Sequence, residues 1–222
     1  MKMKKLVTLI TVATMAMITG CGANGSDSKT TQNVTTTAAD SESETTQTDA
    51  ASTEDQATAS GNVLVVYYSA TGSTKEVVET IADTTGGDLF EITPKEPYTS
   101  DDLNWSDDNS RVSREHEDES LRDVELTTTT VDNWDSYDTV FIGYPIWWGE
   151  APHIMYSLVE NVSLKGKTVV PFNTSASSGT GSSSDHLKDH AIISKKTNWK
   201  NGKSFYGTSF QKTVNKWVKT IK

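Results

Sequence analysis

The amino-acid sequence predicts an α/β fold: a parallel, doubly wound sheet with helices on both faces, a three-layer sandwich. Two observations carry that expectation. Short apolar, β-branched runs alternate with longer segments whose apolar residues recur at helical spacing. Three loops of unusual composition, 69–74, 144–149 and 173–183, each follow directly on one of the apolar runs. In such sheets ligands bind beyond the carboxyl ends of the strands, where strand order reverses. A single ligand touching all three loops is therefore the economical reading.

The chain has 222 residues and a formal net charge of −10, long enough for one domain with a sizeable core. It opens with Lys2, Lys4 and Lys5, followed by an apolar stretch from Leu6 to Ile18 that is short for a membrane span. Ile18-Thr19-Gly20-Cys21 comes next, small residues ending in the single cysteine. Residues 1–21 read as a secretory signal peptide. Its ending resembles the lipobox of bacterial lipoproteins. That resemblance implies that Cys21 is lipidated with fatty acids such as palmitate, becomes the mature N-terminus, and holds the protein on the outer face of the cell membrane. One cysteine leaves no partner for a disulfide within the chain. Residues 22–60, rich in Ser, Thr and Ala and without an aromatic residue, read as a disordered linker that buries too little apolar surface to offset its ordering entropy. As a random coil it would span roughly 35 Å. The fold is expected within 61–222.

The first strand is the apolar run Val63 to Tyr68, apolar on both alternating faces and so expected at the centre of the sheet. A helix over Ser73 to Thr84 follows, with Val77, Val78 and Ile81 facing inward and Gly86-Gly87 as its stop. Leu89 to Thr93 is a second strand, closed by Pro94 and Pro97. Residues 98–130 are acidic and irregular, with Trp105 alone among polar neighbours and room for a helix from about Ser110 to Leu121. A long polar segment of this kind reads as a functional insertion or lid. Tyr137 to Tyr144 is the third strand, and Ala151 to Val162 an amphipathic helix with Ile154, Met155, Leu158 and Val159 inward. Thr168 to Phe172 is the fourth strand, Ser183 to Ala191 a helix, and Asn198 to Phe205 a weak fifth strand. Thr208 to Ile221 closes the chain with Phe210, Val214, Trp217, Val218 and Ile221 at helical spacing.

Charge is unevenly placed. Residues 94–125 carry eleven acidic and four basic side chains, whereas 181–222 carry nine lysines against Asp185 and Asp189. A nucleic-acid binder wants a basic stripe without a large acidic counterpart, so no nucleic-acid partner is assigned. The acidic face fits solubility, or a cationic or redox partner.

The first loop, Ser69-Ala70-Thr71-Gly72-Ser73-Thr74, lies between a strand end and a helix start, where unpaired N–H groups and the helix dipole favour an anion. An ordinary N-capped turn also fits, but five hydroxyl or glycine residues among these six favour phosphate. The second loop brings Tyr144, Pro145, Ile146, Trp147, Trp148 and Gly149. Adjacent tryptophans cannot both enter one core, so at least one is expected to face a ligand or partner, and such rings stack well on a planar ring. The third loop, with Thr174, Ser175, Ser177, Ser178 and Gly179, offers N–H groups and small side chains to polar ring edges. Phosphate, planar ring and polar ring edge together describe flavin mononucleotide, FMN.

On these motifs the chain resembles the flavodoxins, specifically bacterial flavodoxin-like proteins with a Gly-Tyr-Pro-Ile-Trp-Trp loop, here Gly143 to Trp148. The resemblance runs from about Gly61 to the C-terminus. It implies a five-stranded sheet in the order 2-1-3-4-5 and non-covalent FMN. It also implies redox chemistry, with a partner protein or small molecule as electron acceptor. Ser69, Thr71, Gly72, Ser73 and Thr74 match the family's phosphate loop, with Thr71, Ser73 and Thr74 the expected donors. Residues 143–148 match the loop beside the flavin ring and 173–181 the loop over its other edge, with Pro145 to Gly149 the residues expected at the cofactor. The acidic segment 94–125 and the faint fifth strand depart from a minimal member of the family. A neutral, aromatic-walled pocket in an acidic domain is expected to lower the potential of the fully reduced couple.

Competing chemistries fit less well. A dinucleotide fold wants Gly-x-Gly-x-x-Gly in the first loop, and a nucleoside triphosphatase wants Gly-Lys-Ser or Gly-Lys-Thr, with Lys75 misplaced for that role. His186 and His190 stand four apart, a spacing that can bind metal. With no cysteine and no third ligand in sight, the sequence assigns no metal. Glu115 to Glu119 reads as a solvated run; Arg111 and Arg114 could meet an anionic substrate or pair with those acids, and pairing is favoured. No side chain stands out as a catalytic acid or base. The alternative to a redox protein is a flavodoxin fold serving as a non-redox, tethered binding module, which would ignore added FMN.

Overall fold

The computed structural model describes residues 62–207 and 210–221; the expected signal peptide, Cys21 and the linker lie outside the described residues. The strands are β1 (Asn62–Tyr67), β2 (Asp88–Glu91), β3 (Tyr137–Pro145), β4 (Thr168–Ser175), β5 (Asn198–Trp199) and β6 (Lys203–Tyr206), with β1, β3 and β4 buried along nearly their whole length. Every pairing is parallel, and the order is β2-β1-β3-β4-β5, with β6 also on β4. The fifth position is therefore one strand in two pieces. β5 pairs with Thr168 and Val169, β6 with Phe172 to Ser175, and Lys200-Asn201-Gly202 bridges them. This break is why the fifth strand is faint in the sequence.

The helices are α1 (Ser73–Thr85), α2 (Arg111–Glu117), α3 (His153–Asn161), α4 (Ser183–His190) and α5 (Gln211–Val218). Because strand side chains alternate, β1 sends Val63, Val65 and Tyr67 to a core shared with Val77, Val78 and Ile81 of α1 and Val214 and Val218 of α5. It sends Leu64 and Val66 to the other face, which packs on Ile154, Met155 and Leu158 of α3 and Leu187 of α4. The two faces make the sandwich. Trp217 fills a gap on the α5 side among Phe141, Phe172 and Phe205, at 5.9, 6.2 and 5.3 Å between ring centroids. Among the described residues, no helix is long and apolar enough to cross a membrane.

Boundaries differ from expectation where side chains compete for the backbone. The helix expected from Ser110 begins as α2, with Ser110 accepting the Ser113 N–H, but it stops at Glu117. Asp118 turns extended and accepts the Ser120 N–H, opening a separate 3-10 turn over Glu119–Leu121. β4 runs on to Ser175, so Thr174 and Ser175 belong to the strand. α5 begins at Gln211, and the expected start at Thr208 lies outside the described residues.

Gly143 in β3 sits opposite Phe172 of β4, and a Cβ there would lie 2.3 Å from the Phe172 ring. Gly143→Ala is expected to destabilise the fold by about 1–3 kcal/mol through overpacking, read as a lower urea midpoint at unchanged m-value.

Candidate functional site

Parallel strands bring the three predicted loops to one edge of the sheet. In the first, Gly72 adopts φ 91°, the left-handed region that favours glycine, and α1 starts directly after it. The Lys75 N–H donates to Ser69 Oγ and the Glu76 N–H to Gly72 O. The N–H groups of residues 70–74 find no acceptor among the described residues. These five donors, unpaired among the described residues, stand at the start of a 13-residue helix, an arrangement that can serve as a cradle for an anion. Thr71 and Ser73 are exposed at its mouth, whereas Thr74 is buried, its hydroxyl 2.8 Å from that of Thr174. Lys75 turns aside toward Glu91, 4.0 Å away, so the cradle is built of neutral donors.

The second loop is a two-residue reversal. Trp147 and Glu150 exchange N–H···O bonds of 2.9 Å in both directions, with Trp148 at φ 53° and Gly149 at φ 83° between them. A tryptophan in the left-handed region is strained, and such strain persists only where the surroundings enforce it. Trp147 turns inward and meets Tyr68 and Tyr98 edge-on at 5.8 and 5.3 Å. Trp148 turns outward, 46% exposed, and stacks on His116 at 4.7 Å with 7° between the planes. In the third loop Ser175 Oγ accepts the N–H groups of Ser177 and Ser178. This curls the segment and leaves Ser177, Ser178 and Gly179 exposed.

Between the loops lies a cleft of about 470 Å³. Thr71, Pro145, Ile146, Trp147 and Trp148 line it together with Ala70 and Ala176. The far wall comes from the acidic segment: Leu103, Trp105 and Val112. Trp105 is 71% exposed, the most exposed large apolar side chain described.

The chain matches the sequence profile of a family described as flavodoxin over residues 62–221. The chain belongs to the flavodoxin family. It is similar to a candidate flavoprotein from Bacteroides eggerthii, at 43% identity and TM-score 0.64, covering 72% of this chain and 98% of the other. A second, from Bacteroides uniformis, shares 38% identity at TM-score 0.64, covering 72% and 99%. A flavoprotein from Lactobacillus acidophilus, solved in complex with FMN, shares the fold at 23% identity and TM-score 0.50, covering 71% and 98%. No functionally curated protein matches the chain.

Against this flavodoxin frame, the sequence-predicted residues of all three loops gather at one edge. Two are placed differently from expectation. Thr74 is committed to Thr174, leaving the hydroxyl pair one spare proton, and Ser175 spends its oxygen on its own loop. The sequence reading missed Ala70, Leu103, Val112 and Ala176, and noted Trp105 without a role; a lone tryptophan in a polar run was the one available signal. Arg111 pairs as expected: its Nε donates to Glu115 Oε1 at 2.6 Å, and its guanidinium lies 4.0 Å from the centre of the Tyr98 ring. Tyr98 donates to the other oxygen of Glu115 at 2.7 Å. Burial first, and then this bond, push the Tyr98 phenol well above the usual tyrosine range. Arg114 makes no ion pair among the described residues. Glu115 is buried and His116 is stacked, so the run from 115 to 119 is not simply solvated.

A second chamber, about 660 Å³, adjoins the cleft and shares Val112 and Trp147 with it. All four histidines of the chain line it. Burial of His153, helped by the nearby Arg122 and His116, lowers its pKa to about 4. A base held below its unfolded value of about 6.5 binds fewer protons in the native state, so stability is complete above about pH 6.5 and drains away toward pH 4. His153→Gln is expected to lose less stability than wild type between pH 7 and pH 4.5, measured as urea midpoints across that range.

Proposed function

We propose that this flavodoxin-family protein holds FMN non-covalently at the carboxyl edge of its sheet and serves as a redox protein, tethered outside the cell membrane through Cys21. The observation that carries the FMN reading is the join of the five-donor cradle at 70–74 to an aromatic-walled cleft. A phosphate at the α1 start would meet neutral N–H groups, the helix dipole and the hydroxyls of Thr71 and Ser73. The cleft is of a size common for cofactor sites. Trp148 and Trp105 offer ring faces from two different segments, and the exposed hydroxyl side chains of Ser177 and Ser178 suit polar ring edges. FMN supplies the electron uptake and release when bound; the chain positions the ring, excludes water from one face and sets the surrounding charge. The open, exposed rim suits exchange of electrons with a partner protein or small-molecule acceptor. The tether rests on the Lys-rich start, the short apolar stretch and the small residues before Cys21.

The purified protein is expected to be yellow, or to take up added FMN with quenching of flavin fluorescence. A colourless protein that ignores FMN would favour the non-redox binding module instead. Thr74→Asp is a poor probe, because Thr74 is buried and a carboxylate there would also cost stability. Ser73 is exposed at the cradle. Ser73→Asp is expected to lower FMN affinity about 100-fold by like-charge repulsion of about 3 kcal/mol. Trp105→Ala should lower it by up to about tenfold through lost stacking. Both are measured by fluorescence titration, and unchanged affinity in Ser73→Asp would overturn the phosphate assignment. Oxidation of a reduced nicotinamide nucleotide by the FMN-loaded protein would make it a reductase rather than a carrier. For the tether, Cys21→Ala is expected to release the protein from the membrane fraction and to abolish labelling by fatty acid.

A further inference from the structure

His186 and His190 lie one turn apart on α4, so their rings stand on the same helix face and line the second chamber together. Each ring is held by a carboxylate from a different element. His186 Nδ1 lies 2.9 Å from Glu150 Oε2, in the reversal after β3, and His190 Nδ1 lies 2.6 Å from Glu160 Oε1, on α3. Glu150 is itself fixed by the Ser182 hydroxyl, which donates to its Oε1. A carboxylate only accepts, so both Nδ1 atoms carry the hydrogen and Nε2 is the nitrogen left for a ligand. A carboxylate behind an imidazole fixes its tautomer and orientation and raises its basicity as a metal ligand. Both rings are about half exposed, with side-chain values of 51% and 52%, so an ion and its waters can reach them.

We propose that His186 and His190 bind a divalent transition-metal cation through their Nε2 atoms, at the edge of the chamber beside the cleft. Among the described residues no three His, Cys, Asp or Glu side chains converge as a ready-made site. The protein therefore supplies two nitrogen ligands and water completes the shell. Imidazole selects zinc, nickel or copper(II) over magnesium or calcium, which prefer oxygen. Glu150 and Glu160 are positioning residues that aim the rings. The site is independent of FMN, and its test does not use redox activity.

The test is calorimetric titration of the tag-free protein with zinc sulfate, nickel sulfate and magnesium sulfate, with and without added FMN. One-to-one zinc binding is expected, with nickel comparable and no heat from magnesium. The double variant His186→Ala/His190→Ala, at two half-exposed positions, should keep the wild-type circular dichroism and urea midpoint while losing the zinc heat. Glu160→Ala should weaken zinc about tenfold or more, and Glu160→Gln, whose amide oxygen still accepts the Nδ1 hydrogen, should restore part of that loss. No saturable zinc binding, or zinc binding unchanged in the double variant or in Glu160→Ala, would overturn the proposal and leave the two pairs as half-exposed hydrogen bonds. Failure of the FMN titration alone would leave this site standing.

Discussion

Parallel pairing is the constraint on which the rest of this structure depends. When neighbouring strands run the same way, all their carboxyl ends emerge on one edge, and each return crossing must be made by a helix or a long connection. β1, β3 and β4 obey this with their apolar cores at zero to a few per cent exposure. The loops after them therefore meet, although the first and third are separated by about a hundred residues. The Thr74–Thr174 hydroxyl pair is the contact that records the meeting: one member opens α1 and the other ends β4. It holds the cradle against the third loop while spending only one of two hydroxyl protons.

The site is assembled from neutral donors in an acidic protein. Lys75, next to the cradle in the chain, is drawn toward Glu91, which also accepts the Tyr67 hydroxyl. A dianion held there depends on oriented N–H groups and the α1 dipole rather than on an ion pair, and such fixed dipoles need no reorganisation when the ligand arrives. The strained reversal at Trp148 accompanies a split of the two rings, with Trp147 in the Tyr68–Tyr98 cluster and Trp148 turned outward.

The acidic segment 94–125 is more than a solvated appendage. Arg111, Glu115 and Tyr98 form a closed set of contacts that pins α2, and His116 on that helix stacks on Trp148. The segment thus supplies one wall of the cleft through Leu103 and Trp105, and one wall of the histidine-lined chamber through Glu115 and His116. The two cavities are neighbours because one short helix separates them.

Local patterns determined most of what the sequence could say alone. Val63 to Tyr68, Tyr137 to Tyr144 and Thr168 to Phe172 were legible as strands because β-branched apolar runs buried on both faces have few other uses. The Ser69–Thr74 loop was legible as a donor-rich turn because its hydroxyl and glycine residues sit at a strand-to-helix junction. Three things were decided only by the tertiary structure. The fifth strand is split, and its register comes entirely from β4. Thr74 and Ser175 turn their oxygens to protein partners rather than outward, a choice made by what lies opposite them. Trp105, and the carboxylates behind His186 and His190, acquire their roles from residues dozens of positions away. Spacing along the chain reveals which side chains share a face of one element; which faces meet is set by packing between elements, and the sequence carries no local signal for that.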